Sequence, residues 1–224
     1  MGREPPPTPL NGTALVAWLS RQALVDGPAA TPSFVAGLGR WLGWADAIPL
    51  AAAVQAPTAA GPSARPRTAA VGVHAVELEA QRVRAALSRA IDDDAALAAD
   101  TDFAPHRRHV AALQHEMELD IATLRTQVRA AVARQSPALA RLAAIDGVLA
   151  AVVAPREQHL LGTLPALLER HFTRLRRDHA DAPAAWLPAF RHDTRQLLLA
   201  ELDLRLQPVQ GLLDALRAPP RETP

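Results

Sequence analysis

The chain has 224 residues, with 24 basic and 23 acidic side chains, and its formal charge of +1 provides no overall field that would concentrate nucleic acid or an anionic membrane. It contains no cysteine, which excludes disulfides, thiolate metal sites and thiol nucleophiles and fits a reducing cytoplasm. Hydrophobic residues make up 49% of the chain, but alanine and leucine dominate them and aromatic residues are only 4%. This composition of helix formers predicts an all-α protein.

The N-terminal region is predicted to be a disordered tail followed by a small helical block. Residues 1–11 are rich in proline, which is typical of a disordered segment. In residues 12–55, capping residues and apolar positions at helical spacing predict three short helices, the first capped by Asn11 or Thr13 and the others beginning near Ser33 and Asp46.

Tryptophan is concentrated in that block. Trp41 and Trp44 are candidates for docking a partner protein, because tryptophan is common among the residues that dominate binding energy at interfaces. The alternative for all the tryptophans of the chain is burial as anchors of the core.

The rest of the chain is predicted to form a bundle of long antiparallel helices. Residues 56–70 combine proline with small residues and are predicted to be a linker, and residues 218–224 are predicted to be a second disordered tail. Over residues 71–217, apolar residues recur at steps of three and four, the spacing of one helix face. Before the last helix, the residues in this pattern are Val73, Val76, Ala80, Val83, Leu87 and Ala90; Val110, Leu113, Met117, Ile121, Leu124, Val128 and Ala131; Leu139, Leu142, Ile145, Leu149 and Val152; and Leu161, Leu164, Leu168, Phe172 and Leu175.

The last helix carries the most regular apolar pattern, formed by Leu199, Leu202, Leu206, Val209, Leu213 and Leu216. Further leucines beside this stripe make it wider than the seam of a two-stranded coiled coil. Pro208 is expected to kink the helix. We therefore expect this helix to be buried among helices of its own chain rather than in an extended dimer, although self-association stays open.

Several residues predict where helices begin and end. Ser136, with a proline directly after it, is typical of a helix N-terminus. Asp94 and Asp102 are interpreted as caps of the segments that follow them. Pro155 and Pro165 are expected to interrupt the helical pattern.

The sequence contains no arrangement typical of catalysis or metal binding. His106 and His109 share a face of a predicted helix, but His115 lies on the opposite side, so we interpret the three as solvated polar positions. The glycines of residues 37–43 follow no predicted strand, and the chain has no lysine for a phosphate-binding loop. We therefore predict no catalytic residue, no metal, no cofactor and no enzymatic activity.

A basic stripe is the one charged feature that could bind a ligand. Arg170, Arg174 and Arg177 fall on one helix face, and Arg176 lies beside them. Such a stripe could follow the phosphates of a nucleic acid. The alternative is an exposed helix face whose arginines pair with acidic neighbours.

The chain is predicted to be soluble and cytoplasmic. Its first residues lack the basic and apolar regions of a signal peptide. The most apolar later run, residues 139–154, carries Arg141 and Asp146 and is short for a bilayer. We expect no membrane insertion.

Three stretches, residues 40–53, 141–176 and 197–217, together resemble a family of helical proteins from Burkholderia-like and Xanthomonas-like proteobacteria. The resemblance runs from about residue 12 to residue 217 and is one of pattern. Members of that family tend to be encoded beside a MotA-like membrane protein and an OmpA/MotB-like peptidoglycan-binding protein, as in type III Zorya antiphage systems. The resemblance implies a soluble accessory subunit of such a motor and supplies no catalytic residues.

Two functions follow as hypotheses. The first is a non-enzymatic interaction protein whose partners are MotA-like and OmpA-like components of an antiphage system. The second is a helical nucleic-acid-binding protein that uses the arginine stripe.

Overall fold

A computed structural model describes residues 14–22, 44–55, 66–179 and 183–218 of the chain. Within these ranges the secondary structure is helical and contains no strand, so the all-α prediction is confirmed. The second predicted helix, from Ser33, lies outside the described residues, as do Trp41 and most of both predicted tails.

Seven α-helices form the described fold. They are α1 (Ala14–Arg21), α2 (Trp44–Gln55), α3 (Pro66–Asp92), α4 (Phe103–Ala133), α5 (Pro137–Leu161), α6 (Leu164–Asp178) and α7 (Pro183–Arg217), with a short 3-10 turn at Ala95–Leu97 between α3 and α4. Helix α3 begins inside the range expected to be a linker, of which residues 56–65 are outside the described part of the chain.

Helices α4 and α7 form the centre of the bundle. They pack against each other, and each also contacts α3, α5 and α6. On α4, every position of the predicted apolar pattern is buried: Val110, Leu113, Met117, Ile121, Leu124, Val128 and Ala131. The periodicity therefore identified both this helix and the face that it turns to the core.

Helix α7 is buried within its own chain, as expected. Its buried leucines and valine lie on both sides of Pro208, and the helix continues through that proline to Arg217. The width of its apolar face lets α7 contact α4 and α3 and also α1 and α6. A wide face is what a helix at the centre of a bundle needs.

The aromatic residues gather where α4, α6 and α7 meet. Phe190 is fully buried, and its ring lies 5.0 Å from that of Phe172 and 5.2 Å from that of His106, both nearly perpendicular to it. The ring of Phe172 also lies 4.8 Å from that of Trp186. Edge-to-face contacts of this kind stabilise aromatic clusters beyond the area that they bury.

The predicted helix boundaries were partly correct. The Ser136 hydroxyl accepts a hydrogen bond from the Leu139 backbone N–H at 3.2 Å, which confirms that cap. Asp94 and Asp102 occupy the N-cap positions of the 3-10 turn and of α4, as predicted, although neither side chain makes a capping hydrogen bond. Pro155 does not interrupt α5, which runs on to Leu161.

Asp94 instead joins the turn between α3 and α4 to α7. Its carboxylate accepts hydrogen bonds from the Arg191 guanidinium, one of them at 2.8 Å from Nε, and both side chains are about one quarter exposed. The hydrogen bonds from Arg191 lower the pKa of Asp94 below its ordinary value of 3.8. The ionised carboxylate is therefore favoured in the folded protein.

We expect Asp94→Asn to lower the free energy of unfolding by about 1–2 kcal/mol at neutral pH. Because the pKa of Asp94 is lowered by folding, its contribution is present above the unfolded pKa and is lost as pH falls through the folded pKa. Urea denaturation at pH 7 and at steps below pH 4 measures this, and the two proteins should converge at low pH. Asp93→Asn, at an exposed neighbour, is the matched control.

Candidate docking surface and polar clusters

Helix α5 is apolar and yet poorly buried. Only Ala143 and Leu161 of its residues are buried in the bundle. An 18-residue stretch within it has a mean hydropathy of 1.7, and 6% of that stretch is buried. A helix of a soluble protein normally buries its most apolar face, so the exposure of α5 marks a surface with room for a partner.

Apolar residues on one side of α5, with Arg156 among them, form a stripe, which we name the α5 stripe. Its members, at steps of three and four, are Leu142, Ile145, Leu149, Val152, Arg156 and Leu160. Leu142, Arg156 and Leu160 are exposed, Leu142 by 37% and Leu160 by 61%, whereas Ile145, Leu149 and Val152 are half-buried. The stripe therefore presents leucines at both of its ends.

The position of this stripe differs from the position that the sequence pattern predicted. The apolar pattern that identified α5 includes Leu142, Ile145 and Leu149, but of that pattern Leu139 alone packs against the core. The face toward the bundle carries Ala143 and the acidic residues Asp146 and Glu157 instead. Because alanine lies all around α5, its hydrophobic periodicity could not distinguish the two faces.

Helix α2 extends the apolar surface. It packs against α5, and Ile48 and Val54 on it are 60% and 50% exposed. The side chain of Trp44, at the start of α2, is outside the described residues, so the docking role predicted for Trp41 and Trp44 stays a prediction. Among the described residues, helices α2 and α5 together carry the largest grouping of exposed large apolar side chains on adjoining helices.

The two acidic side chains of α5 are turned away from the stripe. Asp146 accepts two hydrogen bonds from Arg125 of α4, at 2.6 and 3.0 Å, and lies 3.5 Å from Arg129. Glu157 lies 3.7 Å from Arg205 of α7. Arg156 is exposed and forms no ion pair with the described residues.

A cleft of about 200 Å³ lies between parts of α4 and α5, and Arg205 of a buried polar cluster lines it. Glu201 of α7 is fully buried and accepts hydrogen bonds from Arg205, at 2.8 and 2.9 Å, and from the Gln114 amide, at 3.0 and 3.2 Å. Burial raises the pKa of Glu201, and Arg205 and Gln114 oppose that shift. This cluster was not predicted from the sequence, although a Glu and an Arg four residues apart within an apolar helix were its signal.

Arg174, a member of the predicted stripe, has a structural role. Its guanidinium donates to the Gln22 carbonyl at 2.8 Å, directly after α1, and to His171 Nδ1 at 2.9 Å. An arginine can only donate, so Nδ1 accepts and His171 Nε2 donates to Asp193 at 2.8 Å. This chain of hydrogen bonds connects α1 to α6 and α7.

We expect Arg174→Ala to release the end of α1. Loss of hydrogen bonds to a charged group costs about 1–2 kcal/mol at a half-buried site, which corresponds to amide exchange about 5–30-fold faster. Hydrogen–deuterium exchange of residues 14–22 measures this. Arg170→Ala, at an exposed position of the same helix, should leave the exchange unchanged, and equal protection in both variants would contradict the role of Arg174.

The other three arginines of the predicted stripe, Arg170, Arg176 and Arg177, are exposed. Arg177 donates to its neighbour Asp178 at 3.1 Å, whereas Glu169 pairs with Arg107 of α4. The structure therefore leaves three exposed cations on α6 and assigns the fourth to the fold.

The sequence had suggested that the three histidines are solvated, but the structure shows that this is wrong for His106. His106 is 2% exposed, packs against Phe190 and donates from Nε2 to the Asp100 carbonyl at 3.0 Å. His109 is half-buried, and His115 is exposed. Within the part of the chain that the structure describes, no three metal-ligating side chains are grouped closely enough to hold a metal ion.

The apolar stretch in α5 is also long and apolar enough to cross a membrane, by length and composition alone. One such helix is weak evidence, because core helices of soluble proteins can pass the same criterion. The absence of membrane insertion stays a prediction.

One comparison with known proteins gives a match. Among curated proteins and solved structures, none matches the chain. A family model described as protein of unknown function, DUF3348, matches residues 1–218. Since the match spans nearly the whole sequence, the chain belongs to the DUF3348 family.

Proposed function

We propose that this chain is a non-enzymatic helical accessory protein that acts by binding other proteins. The observation that carries the proposal is the α5 stripe, an apolar surface that the described helices leave partly exposed, on a helix of which only Ala143 and Leu161 are buried. An exposed apolar surface beside a well-packed core is typical of an interaction site.

The resemblance noted in the sequence supplies the identity of the partners. On that basis they are the MotA-like and OmpA/MotB-like proteins of a Zorya-type antiphage system, and the chain is their cytoplasmic subunit. Co-expression of the tagged chain with the products of its neighbouring genes, followed by affinity purification, tests this. Recovery of a membrane component is expected, and failure to recover any neighbour would contradict the proposal.

Nucleic-acid binding by the arginine stripe is the alternative, and the structure gives it less support. Arg174 is committed to α1, which leaves Arg170, Arg176 and Arg177 on a chain with a charge of +1. Binding to labelled DNA and RNA at about 50 mM salt tests the alternative, because phosphate contacts weaken steeply with salt. Charge reversal at these three residues should abolish any such binding.

A further inference from the structure

The α5 stripe carries one charge among its leucines, and that charge identifies what would cover it. We propose that the occupant is a helix of a partner protein, with apolar side chains over Leu142, Leu149 and Leu160 and one carboxylate paired with Arg156. This inference rests on the proposed function, since it requires that the chain bind a protein.

The charges of α5 indicate what an occupant must supply. Both acidic side chains of the helix are paired with arginines of the bundle, Asp146 with Arg125 and Glu157 with Arg205. Arg156 is left exposed between Val152 and Leu160 without an ion pair among the described residues. An occupant that covers the leucines also covers this guanidinium, and an unpaired buried charge is costly. The occupant must therefore supply a carboxylate.

The geometry of the stripe places that carboxylate. Arg156 follows Leu149 by seven residues, which is about 10 Å along the helix axis. The partner helix should therefore present its carboxylate about 10 Å from the apolar side chain that covers Leu149. Arginine recognises a carboxylate through two parallel hydrogen bonds, which also fixes the register of the two helices.

A second copy of the chain fits the stripe poorly. If two α5 helices paired in antiparallel fashion about Leu149, Arg156 of each would lie opposite Leu142 of the other. A parallel pair would place the two Arg156 side chains together. Neither arrangement provides a carboxylate, because the outward side of α5 has none.

A lipid surface fits less well than a helix for a different reason. Alanine and Gly147 occupy much of the helix beside the stripe, and small residues contribute little apolar area to a membrane. They do allow another helix backbone to approach closely. The surface therefore suits helix packing better than insertion between lipids.

Site-specific crosslinking can identify the occupant, because the chain has no cysteine of its own. Leu142→Cys and Leu160→Cys each provide a single thiol for a benzophenone maleimide, and Leu78→Cys, at a 51% exposed leucine of α3, is the matched control. The labelled full chain is irradiated with the co-expressed products of its neighbouring genes, and crosslinked peptides are mapped by mass spectrometry. We expect both α5 positions, but not the control, to crosslink to an apolar segment that contains Asp or Glu.

Charge exchange then tests the ion pair. Arg156→Glu should weaken binding on the order of tenfold, and replacement of the mapped partner carboxylate by arginine should restore it. Arg108→Glu, at an exposed position of α4 without an ion pair among the described residues, should have no effect.

Each other outcome overturns the inference. These outcomes are crosslinks to a second copy or only to lipid, a mapped segment without a carboxylate, and binding that Arg156→Glu leaves unchanged. If the wild-type chain still recovers its neighbours in those cases, the proposed function stands and docking occurs elsewhere. If no neighbour is recovered at all, the proposed function fails as well.

Discussion

Replacement of Glu201 by leucine is expected to lower the free energy of unfolding by about 3–5 kcal/mol. Arg205 is 10% exposed, and it would be left with Glu157 at 3.7 Å as its remaining acidic neighbour. Gln114 would lose one acceptor and keep the Leu161 carbonyl at 3.1 Å. The cost therefore arises mainly from a buried guanidinium without its partner.

Removal of both charges should be far less harmful. Burial raises the pKa of Glu201 above its ordinary value of 4.5 despite the opposing effects of Arg205 and Gln114. The ion pair therefore does not offset the cost of burying the carboxylate. We expect Glu201→Leu combined with Arg205→Met to lie within about 1 kcal/mol of the wild type at neutral pH, or to be more stable.

The pH dependence follows from the same shift. A carboxyl whose pKa is raised by folding contributes stability below its unfolded pKa, and this contribution is lost as pH rises through the folded pKa. The stability of the double variant relative to the wild type should therefore increase between about pH 4 and pH 7. Urea denaturation curves at each pH measure this.

Asp203→Ala provides a matched control two residues away. Asp203 pairs with Arg84 at 2.5 Å, but the two side chains are 49% and 55% exposed. Its removal should cost less than about 1 kcal/mol. If Glu201→Leu cost no more than Asp203→Ala, the buried cluster would not have the importance assigned to it.

The sequence predicted the fold better where a helix has one apolar face. On α4 and α7, polar residues separate the apolar stripe from the rest of the helix, so periodicity identified the buried face. On α5, alanine and valine lie all around the helix. Contacts of Asp146 and Glu157 with other helices decide which side of α5 faces the bundle. Those contacts join residues distant in the chain, which a local pattern cannot reveal.

The candidate binding residues on other helices were predictable from the sequence only to the same extent. The arginine stripe on α6 was visible from spacing alone, but the role of Arg174 depends on its contact with Gln22, far away in the sequence. His106 is polar and yet buried, because the Asp100 carbonyl satisfies its ring nitrogen. Sequence spacing predicts which residues share a helix face, whereas burial and partners depend on the packing of whole helices.

Alanine substitutions at leucines of different burial test this assignment of core and surface. Leu168 of α6 is fully buried, and Leu168→Ala should lower the free energy of unfolding by about 2–5 kcal/mol, since it removes buried methyl groups and leaves a cavity. Leu142→Ala and Leu160→Ala, in the α5 stripe, should cost less than about 1 kcal/mol, because both side chains already contact solvent. Urea denaturation of the three variants measures these values. If Leu142→Ala lowered the free energy of unfolding as much as Leu168→Ala, the α5 stripe would belong to the core, as the apolar pattern alone suggested. The surface on which docking depends would then not exist.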